Sequence, residues 1–146
     1  ILGDFMKFLK VLFPLIVGCI VSFIINPYMN YDELIKPILS PPKVIFPIVW
    51  TIIYLLLGIS FLFINSFKSK FLYYLGIFVN ALWPILFFVF RLYLFSFIWI
   101  ILLFIIILLM TIFFYKENKL AAYLNYPYLI WLCFAAYLNL NVFLIN

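Results

Sequence analysis

Long apolar stretches separated by short polar segments dominate the sequence. An α-helix of about 20 apolar residues spans the hydrocarbon core of a bilayer, which is roughly 30 Å thick. The pattern predicts five transmembrane helices, at about 8–25, 44–65, 71–90, 94–115 and 120–144. Short connections place sequential helices side by side. We therefore expect an all-α integral membrane protein, a single five-helix transmembrane bundle covering residues 6–146.

Prolines and the first residues refine these bounds. Pro27 follows the first predicted helix, the Pro41-Pro42 pair precedes the second, and Pro127 interrupts the fifth. Residues 1–5 precede Met6, which resembles a natural start. We set residues 1–5 aside from the fold prediction as an expression remnant or an upstream extension.

The composition supports a membrane protein. Hydrophobic residues make up 71% of the 146, and charged residues only 9%. A water-soluble domain of this size needs more polar surface, so lipid is the expected surrounding partner. The chain has no histidine, and its two cysteines, Cys19 and Cys133, lie far apart in apolar stretches. We therefore expect no metal site and no required cofactor.

The basic residues indicate an orientation. With five spans, one side of the membrane holds six lysines and the other holds three basic residues. The positive-inside rule then places the N-terminus in the cytoplasm and the C-terminus outside, as in a bacterial cell membrane. The six are Lys7, Lys10, Lys68, Lys70, Lys116 and Lys119, and the three are Lys36, Lys43 and Arg91. The net charge of +5 thus reflects topology, and we expect no nucleic-acid partner.

The connection at residues 27–43 is the longest polar segment and is rich in proline. Proline limits backbone freedom, so this loop forms either an ordered lid or a solvated connector. Both interpretations stay open at this stage.

Asn80 lies in the middle of the third predicted helix, and Pro84 follows four residues later. Proline has no N–H to donate to the carbonyl four residues earlier, and polar groups inside a bilayer need partners. The Asn80 amide and the freed carbonyl either contact a ligand or belong to a helix kink in which a neighbouring helix provides their hydrogen-bond partners.

Aromatic residues recur with polar or small residues on one stripe of three predicted helices. These stripes form either the packed interior of the bundle or the walls of a pocket. A pocket of this composition suits a flat, largely apolar ligand. The predicted wall residues are Trp50, Tyr54, Asn80, Trp83, Phe87, Trp131, Phe134, Ala135, Leu138 and Asn139.

Cations lie at the predicted mouth of this pocket. Lys36, Lys43 and Arg91 sit there together with Pro41 and Pro42. The three cations either pair with carboxylates at the edge of a ligand or act as ordinary interfacial anchors.

The residues offer little support for catalysis. All four carboxylates lie outside the predicted spans, and no histidine is present to act as a base. We expect a binding protein, with a structural or interaction protein as the alternative.

Several separated motifs resemble the translocator protein family (TspO/MBR), the tryptophan-rich sensory proteins that include the mitochondrial peripheral benzodiazepine receptor. The resemblance covers nearly the whole chain, in the right order and spacing. It rests on Gly18-Cys19, Lys36-Pro37, Pro41-Pro42, Trp50-Thr51, Tyr54, Gly58, Asn80, Trp83-Pro84, Phe87-Phe88, Arg91, Tyr126-Pro127-Tyr128-Leu129, Trp131, Phe134-Ala135 and Leu138-Asn139.

The resemblance implies a receptor or translocator that binds tetrapyrroles, such as protoporphyrin or haem-related molecules, and benzodiazepine-type ligands. It places Trp50, Asn80, Trp131, Ala135 and Leu138 around the ligand. It further implies a homodimer and, as an alternative function, light-dependent porphyrin breakdown involving Trp50 and Trp131. The chain departs from the family pattern at Leu39, Val44 and Ala81, where tryptophan is usual or frequent, at Pro47-Ile48 in place of Gly-Pro, and at Trp99, where an acidic residue is common.

Overall fold

Six α-helices make up the computed structural model, which describes residues 1–146. They are α1 (Leu2–Ile25), α2 (Ile45–Phe61), α3 (Phe67–Pro84), α4 (Tyr93–Glu117), α5 (Lys119–Tyr123) and α6 (Tyr126–Ile145). Four apolar helical stretches are long enough to cross a membrane, and α2 is a shorter apolar helix. The short α5 and α6 together supply the last of the four long stretches. The predicted all-α, five-helix membrane bundle is confirmed, and the chain is a multi-pass integral membrane protein.

Helix α1 begins at Leu2 rather than near residue 8, and two further differences in the helix bounds flank the α2–α3 connection. The second helix ends at Phe61 rather than near residue 65, and the third begins at Phe67 rather than near 71. Glu117, at the end of α4, accepts the backbone N–H groups of Asn65 and Ser66 at 2.9 Å each. The Ser66 hydroxyl in turn accepts the N–H of Ser69 and caps α3. A carboxylate from a distant part of the sequence therefore holds the turn that leads into α3.

The last span is interrupted, as Pro127 predicts. Pro127 lies in the first turn of α6, where its missing N–H costs little. Between α5 and α6, the buried Asn125 side chain donates to the Ala121 carbonyl at 2.9 Å and to the Ser60 hydroxyl at 3.1 Å. The break is thus held by hydrogen bonds to α5 and α2.

A wide turn follows Pro84. Residues Ile85–Val89 form a π-helical turn, in which the Phe90 N–H bonds to the Ile85 carbonyl five residues earlier. Arg91 then ends the segment in a left-handed conformation, with φ at 54°. A π-turn contains an extra residue relative to the α-helix, so side chains beyond it leave the stripe that α-helical spacing predicts.

Close packing between helices organises the bundle. A Cβ added to Gly58 on α2 would fall on the backbone carbonyl of Val11 on α1, so this crossing requires glycine. Helix α4 is central and packs against α3, α5 and α6, with Ile107, Met110 and Phe114 almost completely buried. This core fills the end of the bundle where α4 ends. The opposite end, below the α1–α2 connection, encloses a cavity.

Candidate functional site

A cavity of about 670 Å³ opens among α1, α2, α3, α4 and α6 beneath the α1–α2 connection. Leu57, Ile77 and Leu103 line its inner part, and Lys36 and Lys43 are its only charged lining residues. The volume lies within the range of about 300–1,000 Å³ that is usual for small-molecule sites. No group of three or more histidine, cysteine, aspartate and glutamate side chains comes together in the chain.

Aromatic rings from α2 and α6 meet at the cavity wall. The centroids of Trp50 and Trp131 are 6.3 Å apart and their planes are perpendicular. Trp50 also stacks on Tyr54 at 5.4 Å and contacts Tyr128 edge-on at 6.1 Å. Such rings present flat apolar surfaces to a ligand while stabilising one another.

Both the oxygen and the nitrogen of the Asn80 side-chain amide have hydrogen-bond partners within the protein. Its Oδ1 accepts a hydrogen bond from the Tyr54 hydroxyl at 2.8 Å, and its Nδ2 donates to the hydroxyl of Tyr128. The expected partner of Asn80 is therefore a pair of tyrosines from α2 and α6. The Tyr128 hydroxyl accepts this bond and keeps its own proton for donation.

A second amide positions a third tryptophan. Asn139 Oδ1 accepts the indole N–H of Trp83 at 2.9 Å, and Asn139 Nδ2 donates to the Tyr93 carbonyl at 2.8 Å. The indole of Trp83 stacks on Phe87 at 5.1 Å. Both ends of the Asn139 amide are thus engaged in orienting the wall.

Trp99 of α4 donates a hydrogen bond to the backbone of α3, five residues before Pro84. Its indole N–H donates to the Val79 carbonyl at 2.7 Å. Trp99 lies outside the cavity lining, so it supports the α3 wall from behind.

Most of the residues predicted for the pocket line this cavity. Of the ten wall residues, nine do so, and Phe134 instead packs against Trp131, with ring centroids 5.3 Å apart. At the mouth, Lys36 and Lys43 line the cavity. The nine are Trp50, Tyr54, Asn80, Trp83, Phe87, Trp131, Ala135, Leu138 and Asn139.

Three predicted mouth residues lie outside the lining: Pro41, Pro42 and Arg91. Arg91 follows the π-turn, which ends the i, i+3, i+7 stripe that runs through Asn80, Trp83 and Phe87. Pro41 contributes through its backbone, because its carbonyl accepts the Tyr31 hydroxyl at 2.7 Å.

The α1–α2 connection lies over the mouth as a lid, and Tyr31 and Lys36 are among the lining residues that it contributes. Tyr31 packs edge-on against Phe46, and the Lys36 ammonium lies 4.9 Å from the centre of the Tyr31 ring. Partial burial raises the pKa of the Tyr31 phenol above its usual value, which further favours the protonated hydroxyl that donates to the Pro41 carbonyl.

Sequence reasoning did not assign a wall to α1 and omitted Tyr128. Pro14, Gly18, Cys19 and Ser22 of α1 line the cavity. A Cβ on Gly18 would meet the ring of Tyr54, so this glycine makes room for an aromatic wall residue. The four-residue spacing of Gly18 and Ser22 was a usable signal, and so was the position of Tyr128 three residues before Trp131.

The cavity is equipped for binding. Its lining contains no carboxylate or histidine, and the indole N–H of Trp131 is buried without a hydrogen-bond partner. The arrangement offers stacking surfaces, a few hydrogen-bond donors and two cations at the mouth.

The comparisons with known proteins agree over most of the chain. The model of the TspO/MBR family matches residues 10–145. A tryptophan-rich protein TspO of Archaeoglobus fulgidus is 34% identical over 122 residues, which are 80% of this chain and 79% of the relative. Protein CrtK of Rhodobacter capsulatus is 30% identical over 131 residues, covering 84% of this chain and 82% of the relative. The translocator protein of Homo sapiens is 32% identical over 118 residues, covering 75% and 70%.

Proposed function

The chain belongs to the TspO/MBR family of membrane proteins, and we propose that it binds a tetrapyrrole, or a similarly flat hydrophobic molecule, in its aromatic cavity. The observation that supports this proposal most strongly is a single cavity lined by tryptophan side chains. Trp50, Trp83 and Trp131, three of the four tryptophans of the chain, line one cavity in the membrane bundle.

Two features of the cavity match such a ligand, its aromatic walls and the cations at its mouth. Indole and phenol faces stack on planar conjugated rings, and the small residues Gly18 and Ala135 leave space between them. At the mouth, Lys36 and Lys43 are the cations available to pair with carboxylates on the ligand edge. A protoporphyrin, with one flat apolar body and two carboxylates, fits both features.

Protoporphyrin titration of the purified protein tests the proposal. We expect saturable quenching of tryptophan fluorescence, with the same affinity from the change in porphyrin absorbance. The Trp50→Phe/Trp131→Phe variant replaces two indoles by smaller rings and so reduces the stacking area, and its Kd should rise about tenfold, the equivalent of about 1.4 kcal/mol.

Phe78→Leu is the control, because Phe78 is an aromatic residue of α3 that is 61% exposed and lies outside the cavity lining. Its Kd should stay at the wild-type value. Non-saturable quenching in the wild type, or an equal Kd in the double variant, overturns the proposed site.

Light-dependent breakdown of a bound porphyrin is the second candidate function. It is favoured by the perpendicular contact of Trp50 and Trp131 at the cavity wall, 6.3 Å between centroids. The check is loss of porphyrin absorbance under illumination, compared with a dark sample and with the double variant. Equal loss with and without the protein excludes it.

For the orientation, we propose a cytoplasmic N-terminus and an outer C-terminus in a bacterial-type cell membrane. Six lysines at one end against three cations at the other support it. Labelling of Glu33→Cys by a membrane-impermeant maleimide on intact cells, in a Cys19→Ser/Cys133→Ser background, should succeed. Labelling only after lysis reverses the orientation.

A homodimer is also proposed, following the family resemblance. The Gly18 and Ser22 pair lines the cavity of its own chain, so the dimer would use another surface. Light scattering of the detergent-solubilised protein gives the protein mass, and a value for one chain of 17.4 kDa would contradict it.

A further inference from the structure

The lid turns three apolar side chains away from the protein. Ile38 is 82% exposed, Leu39 75% and Ile35 64%. Because they lie in the connection between α1 and α2, at the end of a membrane-spanning bundle, we expect them near the level where lipid meets water. Exposed isoleucine and leucine side chains at this level have acyl chains as their nearest apolar partner.

The backbone of this segment obtains its hydrogen bonds from α6. The Asn146 amide holds both backbone groups of Ile35: Oδ1 accepts the N–H at 3.0 Å, and Nδ2 donates to the carbonyl at 2.8 Å. The Tyr137 hydroxyl donates to the Ile38 carbonyl at 2.6 Å. Backbone groups that enter lipid need such internal partners.

The turn at residues 37–40 has two large apolar residues at its centre, which are unfavourable in a turn exposed to water. Ser40 closes it with its N–H and hydroxyl, both bonded to the Pro37 carbonyl. Its third residue, Leu39, has φ at 72°, a conformation for which glycine or asparagine is favoured. The backbone therefore disfavours leucine at this position, although its side chain is 75% exposed.

Cations flank the apolar tip. Lys36 and Lys43 are both exposed on either side of Ile38 and Leu39 in the sequence. Apolar residues bracketed by lysines match the interface between acyl chains and phosphate groups.

From these observations, we propose that the 37–40 turn is a lipid anchor for the lid. Ile38 and Leu39 insert among the acyl chains at the edge of the bilayer, and Lys36 and Lys43 stay at the level of the phosphates. The lid over the cavity is therefore held from two sides, by α6 through Tyr137 and Asn146 and by the membrane through its turn. Opening it requires the turn to leave the lipid.

Depth-dependent quenching tests the anchor in the full chain, reconstituted in phosphatidylcholine vesicles. In a Cys19→Ser/Cys133→Ser background, an environment-sensitive fluorophore is attached at Ile38→Cys or Leu39→Cys. Glu33→Cys is the matched control, since Glu33 is an exposed charged residue of the same loop. Quenchers are lipids with a nitroxide near the headgroup, and iodide in the water.

We expect the nitroxide lipids to quench positions 38 and 39 at least about twofold more than position 33, and iodide to show the opposite order. Iodide quenching at 38 and 39 equal to that at 33, with no greater nitroxide quenching, overturns the proposal. Neither result depends on a bound porphyrin, so the outcome is separate from that of the proposed function.

Discussion

The hydroxyl of Tyr54 donates a 2.8 Å hydrogen bond to the Oδ1 of Asn80, joining α2 to α3 in the interior of the membrane bundle. Tyr128 of α6 receives the other end of the same amide. The three residues tie together three helices that surround the cavity. Asn80 is only 6% exposed and Tyr128 only 1%, so water does not compete strongly for these bonds.

Tyr128→Phe should destabilise the protein. The change leaves the Nδ2 of Asn80 without its partner in a buried setting, at a cost of about 0.5–2 kcal/mol. Thermal unfolding in detergent should show a lower midpoint. Tyr123→Phe, which removes a hydroxyl from an exposed tyrosine, should leave the midpoint unchanged. Equal midpoints for wild type and Tyr128→Phe would show that the bond does not stabilise the bundle.

Gly58→Ala should disrupt the crossing of α1 and α2. The added methyl group would overlap the Val11 backbone, which cannot rotate away as a flexible side chain can. Helices in lipid associate largely through close packing, so we expect a loss of at least about 1–3 kcal/mol and a low yield of folded protein.

Gly3→Ala is the control for this change, because nothing lies within 4 Å of a Cβ at that position. Its size-exclusion profile and unfolding midpoint should match the wild type. A Gly58→Ala protein that is as stable as Gly3→Ala would mean that α1 and α2 can separate at little cost.

Much of the fold follows from local patterns, and the exceptions arise from long-range contacts or from irregular helix geometry. Apolar stretches predict the spans, and Pro127 predicts the break in the last one. The turn between α2 and α3 is held by Glu117, which is more than 50 positions away from Asn65 in the sequence. Arg91 left its predicted stripe because of a π-turn, a local geometry that no spacing rule reveals.

The candidate site shows the same difference between residues that helical spacing predicts and residues whose role depends on contacts between helices. Stripes on three helices predicted most of the wall, because side chains at α-helical spacing share a face. The role of Tyr128 depends on a hydrogen bond to Asn80, and the spacing within α6 alone does not indicate that pairing. Helix α1 was missed because its apolar sequence has no aromatic–polar stripe, although it contributes Gly18 opposite Tyr54.

Glu117→Gln should weaken the α2–α3 connection. The carboxylate accepts hydrogen bonds from the N–H groups of Asn65 and Ser66 and, at 3.0 Å, from the Ser66 hydroxyl. The glutamine amide keeps one acceptor oxygen and loses the negative charge. We therefore expect the hydrogen bonds to stabilise this exposed connection by about 1 kcal/mol less. Hydrogen exchange of the Asn65 and Ser66 amides should become faster. Unchanged exchange would show that the loop holds its conformation without the carboxylate.

Ala135→Leu separates ligand binding from folding. Ala135 is 7% exposed and lines the cavity, so we expect the larger side chain to occupy cavity volume at a smaller cost to helix packing than in a closed core. We expect an unfolding midpoint close to that of the wild type and a porphyrin Kd raised about tenfold or more, because the cavity has lost volume next to Trp131. Cys133→Leu, two residues earlier on the same helix, places the same side chain at an exposed position and should change neither quantity. An unchanged Kd in a folded Ala135→Leu protein would show that the ligand binds outside this cavity.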